Sequence, residues 1–353
     1  MAQKNSVEVI DLFCGIGGLS YGMRQSGMRI VAGFDIDDTC KYAYEKNNKA
    51  SFFSQDIKSI TGEFIKNLYK SEYSLRVLAG CAPCQPFSSY AFKNKKKDAD
   101  KYDLLYEFGR IVKKVKPDII TMENVAQILN FKEKPVLQDF IQTLKTNGYK
   151  VSVNKVFCPD YGIPQRRTRL VLLASKLGEI SLIPKTHIPE KYVTVKDIIG
   201  DLPPIKAGET CKTDKLHIAK SLSEKNLKRI KATPYGGGWR DWSEDLQLDC
   251  HKKETGKSFG SVYGRMVWEE PAPTMTTLCT GLGNGRFGHP EQHRAISLRE
   301  AALIQTFPFE YEFFAPNENI AMTKASRYIG NAVPVKLGYV IGQSILKHIK
   351  DYK

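Results

Sequence analysis

The feature that most restricts how this chain can fold is a repeated exchange of short apolar runs with amphipathic stretches over residues 7–174. Val7–Leu12 is an alternating apolar run, and a glycine-rich turn, Phe13-Cys14-Gly15-Ile16-Gly17-Gly18, follows it. Residues 19–26 read as a short helix closed by Gly27, and residues 29–34 as a second strand ending at Asp35. Residues 51–53 make a weaker strand with Asp56 just beyond, and Val77, Leu78 and Ala79 make another. Helical spacing appears over residues 100–114, where Leu104, Leu105, Phe108, Ile111 and Val112 share a stripe, and over 136–147, capped by Gly148. Strands at 118–122, 149–157 and 170–174 complete the series. Such repetition predicts an α/β fold with a largely parallel, doubly wound sheet.

In an open sheet of this kind, chemistry gathers outside the carboxyl ends of the strands. Residues 80–90 read Gly-Cys-Ala-Pro-Cys-Gln-Pro-Phe-Ser-Ser-Tyr, and the prolines deny the chain any regular continuation. Cys84 is therefore expected in a strand-end loop. The glycine turn lets backbone approach a ligand, and Asp35, twenty residues beyond Gly15, offers a carboxylate to a ribose. Together they predict a nucleoside cofactor without separating a nicotinamide from S-adenosylmethionine. Glu123, in Glu123-Asn124-Val125, ends the 118–122 strand and can face the same crevice as Cys84. Arg167 and Arg169, in Gln165-Arg166-Arg167-Thr168-Arg169, are two apart and project to one side of an extended segment. A solvated basic turn would also explain them, but beside a thiol and a carboxylate they read as site arginines.

Charge points to the partner. The 53 basic and 38 acidic residues leave a net charge of +15, which favours a polyanion through counterion release at phosphates. No apolar run approaches the roughly 20 residues of a membrane span. Residues 1–6 are polar and lead straight into a strand, so no signal peptide is expected. Eight cysteines in 353 residues then read as reduced thiols of a cytosolic protein.

Beyond residue 178 the alternation ends. Prolines recur at 184, 189, 203, 204 and 234, and residues 206–231 carry eight basic and three acidic side chains. Tyr235-Gly236-Gly237-Gly238-Trp239-Arg240-Asp241-Trp242 places aromatics on a turn expected to be flexible, with Trp239 and Trp242 in structural roles. Residues 281–288 read as a hinge. Ser297-Leu298-Arg299-Glu300 is a capping box opening a helix expected to end at Pro308. Pro334 starts a last helix, striped by Leu337, Ile341, Ile345 and Ile349, that should pack back on the first domain.

These residues closely resemble the DNA cytosine-5 methyltransferase family of bacterial type. Asp11-Leu12-Phe13-x-Gly15-x-Gly17-Gly18 is similar to its cofactor loop, Pro83-Cys84-Gln85 to its nucleophile motif, Glu123-Asn124-Val125 to its acid motif and Gln165-Arg166-Arg167-x-Arg169 to its arginine motif. Residues 297–308 and Gly330-Asn331-Ala332-Val333-Pro334 resemble its two carboxyl-terminal motifs. Six motifs in order cover the whole chain.

The resemblance implies a doubly wound, Rossmann-like S-adenosylmethionine-dependent methyltransferase sheet (residues 1–180). A second, smaller target-recognition domain (181–290) would follow, then a hinge and carboxyl-terminal helices (291–353). It implies S-adenosylmethionine as cofactor, S-adenosylhomocysteine as product and no metal. Phe13 would stack beside the adenine, with Ile36 where many relatives carry an aromatic residue. Gly15 and Gly17 would leave room for the amino-acid end, Asp35 would bind the ribose and Asp56 the adenine amine; Gly18, Pro83 and Asn331 would complete the site. Cys84 would be the nucleophile, Glu123 would contact the exocyclic amine and ring nitrogen 3, and Arg167 or Arg169 would activate the thiol or orient the base carbonyl. Gln85, Ser88, Ser89, Tyr90 and Thr274 would contact double-stranded DNA around a flipped cytosine, and Lys93, Lys95, Lys96 and Lys97 its phosphates. Arg240 and Arg265 are the preferred base readers. Cys81 is expected to be a small buried residue, so that Cys81→Ser leaves methylation intact.

A monomer in the bacterial cytoplasm, associated with the nucleoid, is expected. It would work beside a cognate restriction endonuclease or as a solitary methylase, without a membrane. The same chemistry on tRNA is the nearest alternative. A nicotinamide redox enzyme using Cys81-x-x-Cys84 is a second, and a non-catalytic DNA-binding module a third.

Overall fold

A computed structural model describes residues 7–70, 74–83, 103–131 and 135–352. The strands are β1 (Val7–Leu12), β2 (Arg29–Asp35), β3 (Ser51–Ser54), β4 (Leu75–Gly80), β5 (Ile119–Val125), β6 (Lys150–Phe157), β7 (Gln165–Arg166), β8 (Thr168–Ser175) and β9 (Ala272–Pro273). The first helices are α1 (Gly18–Gln25), α2 (Lys41–Asn48), α3 (Gly62–Leu68), α4 (Asp103–Val115) and α5 (Val136–Thr146). Beyond the sheet come α6 (Val195–Ile199), α7 (Glu224–Ala232), α8 (Asp249–Lys252), α9 (Leu298–Ile304), α10 (Met322–Asn331) and α11 (Val335–Asp351).

Seven strands form one sheet in the order β3-β2-β1-β4-β5-β8-β6, the expected Rossmann-like arrangement. All pairs from β3 to β5 are parallel, whereas β8 runs antiparallel to both β5 and β6. That one reversal matters for function. Because β6 runs with β5, the connection from β6 to β8 turns at the carboxyl edge of the sheet. The arginines at the start of β8 are thereby delivered beside the ends of β1, β4 and β5. The β8 ladder also extends β5 through Val125, so Glu123 and Asn124 are strand residues rather than the start of a loop.

Both faces of the sheet are covered, as near-continuous apolar strands require. Val9, Val77, Ala79, Ile119, Val171 and Leu173 pack with α1, α9 and α11, while Ile10, Leu78, Ile120, Met122, Leu170 and Leu172 pack with α4 and α5. Period-two alternation then assigns Asp11, Glu123 and Arg169 to the first face. The last helix, α11, packs against α1, as expected. A Cβ on Gly22 of α1 would lie 2.0 Å from the Val335 carbonyl, and one on Gly338 of α11 would lie 2.5 Å from that of Leu19. Close backbone approach fixes both glycines.

The Ser297–Glu300 capping box forms with both of its bonds. However, α9 stops at Ile304, because Thr306 turns at φ 62° before Pro308 is reached. The carboxyl-terminal half is held by polar networks as much as by apolar packing. Arg294, fully buried, makes a two-pronged ion pair with Glu300, both oxygens at 2.7 Å. Burial would raise the Glu300 carboxyl, yet the Arg294 fork holds it below the ordinary range. The expected hinge at 281–288 is bridged to its surroundings, with Gly288 paired to both Arg265 and Ala295. The turn around Gly236 is likewise pinned, since Arg286 donates to the carbonyls of Gly236, Gly237 and Arg265. Trp239 and Trp242 are buried and stack with or tilt against His251, as structural residues do. No helix of the described residues is long and apolar enough to cross a membrane.

Candidate active site

A cavity of about 530 Å³ opens at the carboxyl ends of β1, β2 and β4. Phe13, Gly15, Gly18, Asp35, Ile36, Asp56, Pro83 and Asn331 all border it, so residues separated by more than 300 positions in sequence meet there. The turn after β1 is built around unusual backbone. Phe13 has φ 60° and Gly15 φ 49°, both in the left-handed region, and the Gly15 N–H donates to Oδ2 of Asp35 at 2.8 Å. A non-glycine residue held there is the kind of local strain that a ligand-facing turn retains. The other oxygen of Asp35 accepts from the Asp37 N–H at 3.0 Å. Burial raises the Asp35 carboxyl despite these bonds. Ile36 is exposed and presents its side chain to the cavity.

Gly17 departs from expectation. It does not border the cavity, and a Cβ there would lie 2.2 Å from Nδ2 of Asn48 and 2.8 Å from Cδ2 of Tyr44. Its bareness serves the packing of α1 against α2, not room for a ligand.

Asp11, not expected from sequence to belong to the site, carries a signal of its own. It borders the cavity, is 1% exposed, and accepts from Ser20 Oγ at 2.6 Å through Oδ2, while Oδ1 has no hydrogen-bond partner among the described residues. An orphaned carboxylate oxygen in a buried site calls for a donor or cation from outside the chain. The α-ammonium of an amino-acid ligand meets that need. With Asp35 and the apolar walls, this cavity therefore fits S-adenosylmethionine. A carboxylate at the end of the strand, just ahead of the glycine turn, was the available sequence clue.

Glu123 lies at the carboxyl end of β5, 3% exposed. Its Oε1 sits 3.0 Å from Nε of Arg169, an ion pair without an aligned hydrogen bond. Its Oε2 accepts from the Cys81 thiol at 2.8 Å. Cys81 is thus not merely a small buried residue: it is partly exposed, borders the cavity and touches the acid. Arg167 is buried beside this group, and its Nη1 donates to the Met275 carbonyl at 3.2 Å and to Oε1 of Gln165 at 3.4 Å. Burial, then the neighbouring Arg169 charge, pull its guanidinium down to about 10. The two arginines therefore divide: Arg169 faces the acid, and Arg167 ties the hairpin to the segment after β9.

Four further residues hold this arrangement. Asn124 donates to the Ala82 carbonyl at 3.2 Å and accepts from the Val125 N–H, fixing the chain just ahead of Cys84. The buried amides of Gln165 and Gln305 bond at 2.8 Å, and Gln305 reaches the carbonyls of Ile329 and Ala332 on either side of Gly330 and Asn331. Short strands β7 and β9 pair in parallel, and Thr274 Oγ1 donates to the Arg166 carbonyl at 2.8 Å. Cys84, Gln85, Ser88, Ser89, Tyr90 and the lysines at 93 and 95–97 lie outside the described residues.

The two expected base readers part company. Arg240 is exposed, its guanidinium 5.5 Å from the centre of the Trp239 ring. Arg265 is 3% exposed, and its guanidinium donates to the carbonyls of Thr233, Ile230, His289 and Gln292 and meets His293 Nδ1. A guanidinium spent on the interior cannot read a base edge, so Arg265 is corrected to a structural residue.

A cofactor cavity at the sheet's carboxyl edge, with a buried carboxylate and paired arginines beside it, defines a nucleoside-cofactor-dependent group-transfer enzyme. The family model described as C-5 cytosine-specific DNA methylase matches residues 7–347. The chain belongs to the C-5 cytosine-specific DNA methylase family, and it is a DNA (cytosine-5-)-methyltransferase. The Type II methylase M.HgiDII of Herpetosiphon aurantiacus is 52% identical over 97% of this chain and 96% of its own length. The Type II methyltransferase M.Eco47II of Escherichia coli is 31% identical over 99% of this chain and 80% of its own. Among solved structures, one described as a DNA modification methyltransferase encoded within an E. coli prophage superposes with a TM-score of 0.75 at 23% identity, covering 98% of this chain and 100% of that one. Membership implies S-adenosylmethionine as the methyl donor.

Proposed function

We propose that this chain methylates carbon 5 of a flipped-out cytosine in a specific duplex DNA sequence, through covalent addition of Cys84, as the methylase of a Type II restriction-modification system. The observation that carries the site assignment is the Glu123 carboxylate, buried between Arg169 and Cys81 at the rim of a cavity whose walls suit the cofactor. The resemblance to Type II methylases over nearly the whole chain supports the restriction-modification setting. Residues 1–180 would catalyse, 181–290 recognise the target and 291–353 return to the first domain. A monomer in the bacterial cytoplasm, at the nucleoid, is the working form.

Carbon 5 of cytosine is a weak nucleophile in an aromatic ring. The Cys84 thiolate adds to carbon 6, forming a C–S bond and pushing electron density to carbon 5. Glu123 holds the exocyclic amine and ring nitrogen 3 as charge develops, and Arg169 keeps that carboxylate in place. S-adenosylmethionine, when bound, supplies a methyl group activated by a sulfonium. Water then takes the carbon 5 proton and the C–S bond breaks, returning the cysteine as its thiolate. Phe13 and Ile36 would flank the adenine, Asp35 the ribose, Asp56 the adenine amine, and Asp11 the α-ammonium; Gly15, Gly18, Pro83 and Asn331 shape the remainder.

Bisulfite sequencing of plasmid DNA from a methylation-deficient bacterial host expressing the chain tests this directly. Cytosines protected in one short recurring sequence are expected. Unprotected plasmid, with labelled methyl groups appearing in tRNA instead, would overturn it.

Asp11 gives a pH test. Burial chiefly, with a further push from the Asp35 charge, takes its carboxyl from 3.8 to about 7. Through this group the cofactor-free protein therefore loses stability as pH rises from about 4 to about 7, because the unfolded state releases the proton first. Binding an ammonium requires the ionised form, so affinity for S-adenosylhomocysteine should rise about tenfold between pH 6 and 8. Calorimetry should show this rise, and Asp11→Asn should flatten it.

A further inference from the structure

Cys81 stands where the cofactor cavity meets the acid. It is the first residue beyond β4, its backbone N–H donates to the Leu12 carbonyl at 3.2 Å, and the next carbonyl is held by Asn124. Its position between β1 and β5 is therefore set by backbone, not by side-chain packing alone. From there Sγ lies 2.8 Å from Oε2 of Glu123. The thiol is the donor of this bond and the carboxyl oxygen accepts it.

The opposite oxygen, Oε1, lies 3.0 Å from Nε of Arg169, off the hydrogen-bonding axis, and has no hydrogen-bond partner among the described residues. A single off-axis contact restrains where a carboxylate sits better than how it is rotated. The thiol supplies the second point. Glu123 is 3% exposed, so bulk water does not stand ready to replace either contact.

We propose that Cys81 is a positioning residue for Glu123: its hydrogen bond fixes the rotation of the carboxylate so that it meets the amine and ring nitrogen 3 of the cytosine. This rests on the role proposed above for Glu123. It also gives the Cys-x-x-Cys spacing a meaning without redox chemistry, in which one sulfur orients the acid and the other attacks the base.

The test uses the full chain, unmethylated plasmid DNA of mixed sequence and labelled S-adenosylmethionine, with single-turnover methyl transfer as the readout. Cys81→Ala should slow transfer about tenfold. The KM for DNA, the affinity for S-adenosylhomocysteine and the melting temperature should stay near native. Cys81→Ser restores a donor and should recover the rate to within about threefold. Glu123→Gln should slow transfer by roughly 100-fold or more, and adding Cys81→Ala to it should cost nothing further.

A native rate for Cys81→Ala would overturn the inference, as would equal losses in the Ala and Ser variants or losses that multiply in the double variant. If Cys81→Ala is native while Glu123→Gln is crippled, only the positioning role fails. If Glu123→Gln itself keeps the native rate, the reading of Glu123 fails instead.

Discussion

Cys84→Ala is expected to abolish methyl transfer, by ~10⁴-fold or more, because every later step depends on the covalent bond to carbon 6. Cofactor binding should survive. The cavity is built from the turn after β1, the ends of β2 and β4 and the Asn331 segment, with Ala82 anchored by Asn124 rather than by the nucleophile. The variant should therefore bind S-adenosylhomocysteine with near-native affinity while transferring no label to plasmid DNA. Cys84→Ser should be nearly as inactive, since a hydroxyl is not ionised near neutral pH. The contrast with Cys81→Ser, which keeps a donor to Glu123, separates an attacking sulfur from an orienting one. A Cys84→Ala protein that still methylates within tenfold of native would require a different nucleophile, and a pair of equally dead Cys81→Ser and Cys84→Ser variants would revive the dithiol reading.

The parts of this site that are legible in sequence are those encoded by neighbours on the chain. The cofactor turn could be read because glycines follow one strand and an acid ends the next, and Gly15 and Asp35 do bond to each other. Glu123 could be read because it ends a strand, and Arg169 does lie beside it, whereas Arg167 turns to Gln165 and Met275. What could not be read depends on partners far away. Gly17 owes its bareness to Asn48 and Tyr44 on α2. The Cys81 thiol is answered by a carboxylate 42 residues on. The reversal of β8 left no trace in its apolar run, which would look the same in either direction. Gln165 and Gln305, 140 residues apart, carry no local pattern that marks them as a buried pair.

Arg265 is the sharpest case, and it yields the second large effect. On a basic stretch rich in aromatics, an arginine reads as a DNA contact; its real partners are backbone carbonyls 24 to 35 residues away, and carbonyls leave no signature in sequence. Truncation to alanine would leave the carbonyls of Thr233, Ile230, His289 and Gln292 without that donor in the interior. The expected cost is about 3–5 kcal/mol of stability. It should appear as a clear fall in melting temperature and in denaturant midpoint, and DNA binding should be lost only as far as the fold is lost. Lysine cannot reproduce a forked guanidinium, so Arg265→Lys should recover only part of the stability. Arg240→Ala should behave in the opposite way. Its side chain is exposed, so stability should change by no more than about 0.5 kcal/mol. Affinity for the methylated sequence should instead fall, and the kind of loss tells which contact it makes. A base reader costs about 1–3 kcal/mol and relaxes the target sequence at one position, whereas a phosphate contact weakens all DNA alike and lowers the salt slope by about one. An Arg265→Ala protein that melts like the native chain but methylates a relaxed sequence would reverse the assignment of the two arginines.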